Sequence, residues 1–277
     1  MSLINQTCWV VGGVGVIGRG ITQGLLKAGA TVIVNSRSTD RLNKLEEDLK
    51  HHGRLVTIHG SLLPGYAAGT IHDALGSTPL NHVVAHGAVR YWGAKSGAGY
   101  DETHSVNRGS LLTTHMDDFG IAASHLASLH FSAAQELIPR IQFSNGRSSY
   151  TFVTGDGGGH PRGKRSPFQE INAHHVWGLS AALRGESLKK VNCREVRVKL
   201  DVNRPLEERM VKPRDVPLSE DIGMLCAGLV GHTVGEDDSG TLIEVSDHEI
   251  LESLLTRYGI ELEVPLTLDT NKEAYST

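Results

Sequence analysis

Three cysteines in 277 residues, Cys8, Cys193 and Cys226, are too few and too scattered for a disulfide framework, and no C-x-x-C occurs. Reduced thiols in a cytoplasmic protein are the expectation. Positive charge is not in excess either: 27 Lys and Arg against 31 Asp and Glu leave a net charge of −4. No basic stripe is left to grip a nucleic acid. No apolar run approaches the roughly 20 residues of a membrane helix. Met1-Ser2-Leu3-Ile4-Asn5 lacks the basic and apolar regions of a secretory signal. A soluble protein with a small-molecule substrate, and neither nucleic acid nor membrane as partner, is what remains.

The 15 histidines do not compensate for the missing metal motifs. H-E-x-x-H is absent, and His51-His52 and His174-His175 are adjacent pairs whose rings diverge. His82 and His86 bracket a strand-like run, where a period of two spoils helical ligand spacing. No metal site is expected.

What the chain has is glycine in one telling place. Thr7 to Val11 is apolar and strand-like, glycines follow, and a helix-like segment opens near Arg19. Gly13, Gly15 and Gly18 match G-x-G-x-x-G, the turn that lets backbone approach a pyrophosphate at a helix N-terminus. Unpaired N–H groups and the positive end of the helix dipole favour phosphate there. Gly12, Gly13, Gly15, Val16, Ile17 and Gly18 are therefore the expected phosphate turn.

Beyond it, strands and helices alternate. Strands are expected at 7–11, 31–35, 55–59, 82–85, 150–154, 196–202 and 241–245. Helices are expected at 40–51, 66–75, 117–141 (with breaks), 168–188 and 219–229, with a short one at the end of the chain. This rhythm implies one α/β domain over residues 1–277, a Rossmann-like doubly wound parallel sheet in three α/β/α layers. Ligands in such sheets bind beyond the C-terminal strand ends. The polar, Gly-rich stretch 94–115 would overhang that edge as an inserted loop, either a surface loop or a substrate lid.

An acid ending the second strand would take a ribose 2′-hydroxyl, whereas an Arg accommodates a 2′-phosphate. Here the strand ends Asn35-Ser36-Arg37-Ser38. Arg37 supplies charge and Ser36 and Ser38 supply hydroxyls, so NADP is expected over NAD. The two serines also suit an ordinary helix cap. Ala85, His86 and Gly87, in the turn after the fourth strand, should lie close to the cofactor.

These residues resemble the short-chain dehydrogenase/reductase family over roughly Gln6 to Val245. Val11 to Gly18 resembles its T-G-x-x-G-x-x-G, with Val11 in place of Thr. Ala85-His86-Gly87-Ala88 stands where the family has N-N-A-G. Gly178 to Leu183 resembles its G-L-T-R-A-L, and Ser239 to Ile243 its run into the last strand. The resemblance implies a catalytic Tyr, Lys, Ser and Asn, and long helices that pair subunits into a homodimer or homotetramer.

None of the four groups is found. Counting back from Gly178 puts Gln169 at the Tyr position and Ala173 at the Lys position. Neither can do the work of a phenol and an ammonium. Counting back from Pro139 puts Leu126 at the Asn position, which makes the tempting Val106-Asn107 part of the inserted loop. Gly155 or Asp156 occupies the Ser position, with Thr154 the nearest hydroxyl.

Substitutes for the missing groups are Asp156, His174 or His175, and Gln169 itself. Tyr91 and Trp92 are candidates for the pocket wall, and Arg162, Lys164 and Arg165 form a basic loop. The resulting expectation is an NADP(H)-binding oxidoreductase acting on a small carbonyl, imine or alkene. A non-redox isomerase, dehydratase or cyclisation catalyst, or a silent cofactor-binding sensor or partner subunit, stays open.

Overall fold

Seven strands set the frame: β1 (Thr7–Val11), β2 (Thr31–Ser36), β3 (Leu55–His59), β4 (His82–His86), β5 (Ser149–Gly155), β6 (Asn192–Val198) and β7 (Leu242–Val245). Between and after them run α1 (Val16–Lys27), α2 (Thr39–Leu49), α3 (Ala67–Leu75), α4 (Met116–Leu137), α5 (Pro167–Gly185), α6 (Ser219–Gly231) and α7 (His248–Arg257). The computed structural model describes residues 2–50, 54–87, 112, 115–141, 148–155, 167–188, 191–200, 202, 216–232, 239–262 and 265–266, with only the backbone of 118 and 167–169. Asp156, Tyr91, Trp92, Asn107, the basic loop 162–165 and all of 94–115 except 112 and 115 lie outside them.

The strands pair in the order β3-β2-β1-β4-β5-β6-β7, every pair parallel. The order reverses between β1 and β4, with Val11 opposite Ala85, and this is the crevice where doubly wound sheets receive ligands. Strand alternation sorts the core into two layers. Cys8 and Val10 face the cluster built with α1, α2, α6 and α7, while Trp9 and Val11 face the one built with α3, α4 and α5. Leu42, Leu45 and Leu49 form the buried stripe of α2, as their spacing predicts.

Helices α1 and α6 touch backbone to backbone. A Cβ on Gly20 would collide with the Ser219 carbonyl, one on Gly24 with the Gly223 carbonyl, and one on Gly223 with the Gly20 carbonyl. Only glycine allows this approach, which seats α1 deeply against the sheet.

One expectation is corrected. The sixth strand begins at Asn192, not Val196, so Arg194 and Glu195 are strand residues and fully interior. Parallel pairing with β5 and β7 holds them in the ladder. The fourth helix runs from Met116 to Leu137 and then tightens to a 3₁₀ turn, Ile138–Arg140, at Pro139; the interruption expected of it falls between Ala122 and Leu126, where the Asn172 side chain enters the ladder.

Candidate cofactor and active site

The phosphate turn is built by steric need. Gly12 takes a positive φ of 75°. Its carbonyl accepts the Gly15 N–H at 3.0 Å, and a Cβ on Gly18 would overlap that same carbonyl. A Cβ on Gly13 would press on Val34 at 2.7 Å. Helix α1 then opens at Gly15 with no side-chain cap and no acid in its first turn. The N–H groups of Val16, Ile17 and Gly18 thus present a helix N-terminus that no side chain caps among the described residues.

At the end of β2, the Asn35 carboxamide is consumed as a brace. It accepts from Trp9 Nε1 at 3.2 Å and donates to the Gly60 carbonyl at 3.2 Å. Ser36 Oγ accepts the Ser38 N–H at 3.1 Å, and Ser38 caps α2 through the Arg41 N–H at 3.4 Å. Both serines therefore have a local task. His59 donates to the Arg37 carbonyl at 3.1 Å, fixing the backbone there. The Arg37 guanidinium lies within electrostatic reach of His125 on α4, whose imidazole is lowered to about 4 by burial and then by that charge.

At the end of β4, Ala85 is buried beside β1. His86 donates Nδ1–H to the Val153 carbonyl at 2.8 Å. Gly87 takes a φ of 50°, and its carbonyl accepts from His130 Nε2 at 2.9 Å. Burial lowers the His86 pKa; burial, and to a lesser degree the neighbouring His86, lower His130 to about 4. Both rings are neutral near pH 7.

The opposite wall offers less. Thr154 donates its hydroxyl to Glu195 at 2.6 Å, which leaves it no proton for a substrate carbonyl. Glu195 in turn accepts from Arg184 at 3.3 Å and Arg197 at 2.8 Å, and Arg197 stacks 4.5 Å over Trp177. His174 is on the exposed side of α5, bonded back to the Glu170 carbonyl at 2.9 Å. His175 donates to the Ala123 carbonyl of α4 at 2.7 Å. Gln169 lies in the first turn of α5, its side chain outside the described residues.

Sequence reasoning passed over four residues here: His125, His130, Asn172 and Glu195. Asn172 accepts from the Leu126 N–H at 3.2 Å and donates to the Ala122 carbonyl at 2.7 Å. These are the donor and acceptor that an uninterrupted helix joins to each other. His130 stands one helical turn beyond Leu126, a spacing that could have flagged it. A groove of about 610 Å³ lies on the outer side of α4, lined by Ser124, Ser128, Phe131 and Gln135 with Pro64 and Leu179, away from the glycine turn. Among the described residues no cluster of three or more His, Cys, Asp or Glu could hold a metal, and no helix is long and apolar enough to cross a membrane.

Residues 9–61, from β1 past β3, match the family model described as NADP oxidoreductase coenzyme F420-dependent. No curated protein matches the sequence. Among solved structures, the chain is similar to a Pseudomonas aeruginosa RhlG/NADP active-site complex, at 19% identity and a TM-score of 0.67 over 88% of this chain and 96% of that one. A Burkholderia cenocepacia short-chain dehydrogenase in complex with NADP gives 16% identity and 0.67 over 88% and 98%. A short-chain type dehydrogenase/reductase from Mycobacterium ulcerans gives 16% and 0.67 over 88% and 90%. The fold is that of the short-chain dehydrogenase/reductases.

Proposed function

We propose that the chain binds NADP(H) at the β1–α1 turn and is an oxidoreductase of the short-chain dehydrogenase/reductase type. The observation that carries this reading is the uncapped N-terminus of α1, closed in by Gly12, Gly13 and Gly18 at the point where strand order reverses. The family-model match over the same residues and the NADP complexes among the similar structures support it.

The residues present fit such a group. Gly12, Gly13, Gly15, Val16, Ile17 and Gly18 would hold the pyrophosphate, Arg37 with Ser36 and Ser38 the 2′-phosphate, and Ala85, His86 and Gly87 the wall beside β4. When bound, the cofactor supplies hydride transfer, which needs orientation more than side-chain chemistry. The substrate class is a small carbonyl, imine or activated alkene. A substrate that needs no strong acid suits a site with Gln169 and Ala173 where a Tyr and a Lys would stand.

Three buried thiols, Cys8, Cys193 and Cys226, all unbridged, fit a reducing, cytoplasmic setting. Half-exposed Phe131 and Ile121 on α4 suit a homodimer or homotetramer formed through α4 and α5.

Calorimetry tests the cofactor. NADPH is expected to bind more tightly than NADH, and Arg37→Ala to lose about 10- to 100-fold for NADPH alone, the worth of a charge-assisted contact. No uptake of either coenzyme would sink the proposal. Turnover is then read from NADPH oxidation against a carbonyl and imine panel.

The commitment of Thr154 to Glu195 favours one second reading, a catalytically silent cofactor-binding sensor. Tight NADPH binding without turnover, with activity gained by Gln169→Tyr/Ala173→Lys, would decide for it.

A further inference from the structure

One turn of α4 is held open from outside, and the prop comes from α5. Asn172 is buried, and its carboxamide stands between two backbone groups that an uninterrupted helix would join. Nδ2 donates to the Ala122 carbonyl at 2.7 Å, and Oδ1 accepts the Leu126 N–H at 3.2 Å. Three residues further along α5, on the same face, His175 donates Nδ1–H to the Ala123 carbonyl at 2.7 Å. Two side chains of one helix thus hold a single turn of another. A side chain inserted into the i→i−4 ladder bends a helix locally. Residues 123–125 therefore sit where a closed turn would not carry them.

The opened turn contains His125. That residue is half-buried and within electrostatic reach of the Arg37 guanidinium at the end of β2. Burial, and then the guanidinium charge, lower its imidazole to about 4, so the ring meets Arg37 in its neutral form and does not repel it. Arg37 is the residue assigned above to the 2′-phosphate. The set of the α4 turn thus decides where the ring stands against the guanidinium.

We propose that Asn172 is a positioning residue for coenzyme choice: by propping α4 open between Ala122 and Leu126 it sets His125 against Arg37, and so fixes the guanidinium where it meets a 2′-phosphate. The inference rests on the NADP(H) reading above and deepens it. Asn172 acts through α4 and His125, at a distance from the nucleotide. It also adjoins Ala173, so the stretch of α5 that lacks the family's Lys keeps a structural task directed at the opposite end of the crevice. Coupling of this kind is reciprocal, and a 2′-phosphate settling on Arg37 is felt at the Asn172 amide.

The test reads the ratio of NADH to NADPH dissociation constants in the intact protein by calorimetry. If the parent takes up neither coenzyme, the nucleotide reading fails and this proposal falls with it. Where they bind, Asn172→Leu removes the prop and leaves the Ala122 carbonyl and the Leu126 N–H to rejoin each other. NADPH affinity is expected to fall about fivefold while NADH affinity holds, the scale of couplings carried through packed elements. His125→Phe should lower the ratio by a like amount. The double variant should lower it no further than either single one, because both act on one path. A general loosening of the fold would instead weaken both coenzymes alike. A parent that binds the two equally, a ratio unmoved in Asn172→Leu or in His125→Phe, or additive losses in the double variant overturns the proposal and leaves nucleotide binding at the glycine turn standing.

A second measurement needs no change at Asn172, whose replacement removes two hydrogen bonds from the interior. In the ¹⁵N-labelled parent, the side-chain amide resonances of Asn172 are compared at saturation with NADP⁺ and with NAD⁺, which differ only by the 2′-phosphate. They are expected to differ between the two complexes, and His125→Phe should abolish the difference. Resonances that move alike with both coenzymes, or with neither, overturn the coupling.

Discussion

The two walls of the crevice are made of different material. The β1–α1–β2 wall is backbone: three glycines, an uncapped helix start, and side chains that brace the turn from behind, as Asn35 does between Trp9 and Gly60. The α4–α5 side is rich in polar side chains, and several of them are spent within the chain. Thr154 serves Glu195, Asn172 serves Leu126 and Ala122, and His175 serves Ala123. A site built from backbone tolerates wide drift in sequence. One built from side chains can keep its shape after its original chemistry is gone, because the same residue types satisfy one another. Breaking each wall in turn sharpens this contrast.

The largest effect is expected at Glu195. It is fully buried and held by Arg184, Arg197 and Thr154, so Glu195→Ala strands two guanidinium groups that are themselves mostly buried. A loss of about 3–5 kcal/mol follows, measured by urea unfolding. Glu195→Gln, which keeps the shape and one acceptor, should cost roughly half of that. Were Glu195→Ala to leave stability unchanged while altering turnover, the carboxylate would belong to the chemistry and not to the scaffold.

Acid comes next. His130 is lowered from its ordinary 6.5 to about 4 by burial, and His82 to about 3 by burial and then by Arg194. A group held neutral in the fold contributes fully above its unfolded value and loses that contribution as pH falls toward the folded one. Stability should therefore decline between pH 6.5 and 4, by about 3 kcal/mol for His130 alone. Urea midpoints taken across that window check it, and His130→Asn should flatten the slope. A slope unchanged in that variant would mean that other groups carry the acid sensitivity.

How much could be read beforehand follows the same division. The glycine turn was legible because Gly12, Gly13 and Gly18 answer a steric demand that only glycine meets, and the demand is local in sequence. The start of β6 was not, since Arg194 and Glu195 look like solvent residues until Thr151, Thr154 and Arg184 arrive from other elements. Nor was the α1–α6 contact, in which Gly20 and Gly223 meet from opposite ends of the chain. His130 hid for another reason: counting toward the family's Asn stopped at Leu126, and the residue with an unsatisfied nitrogen lay one turn further along the helix. Asp156 and Gln169, named from position alone, have no described side chain to weigh.

The smallest effect on stability should be the most telling about binding. A Cβ on Gly15 would meet only the Gly12 carbonyl, at 3.3 Å, and Gly15 has a φ of −78°, which any residue adopts. Gly15→Ala should therefore cost no more than about 1 kcal/mol in the fold. The added methyl, however, stands at the mouth of α1, between the helix N–H groups and any pyrophosphate. Nucleotide affinity should fall at least tenfold, about 1.4 kcal/mol or more, while the urea midpoint barely moves. Gly18→Ala, whose methyl would overlap the Gly12 carbonyl, should by contrast lose both together. If Gly15→Ala bound NADPH as the parent does, the phosphate would not sit on this turn, and the backbone wall would be scaffold too.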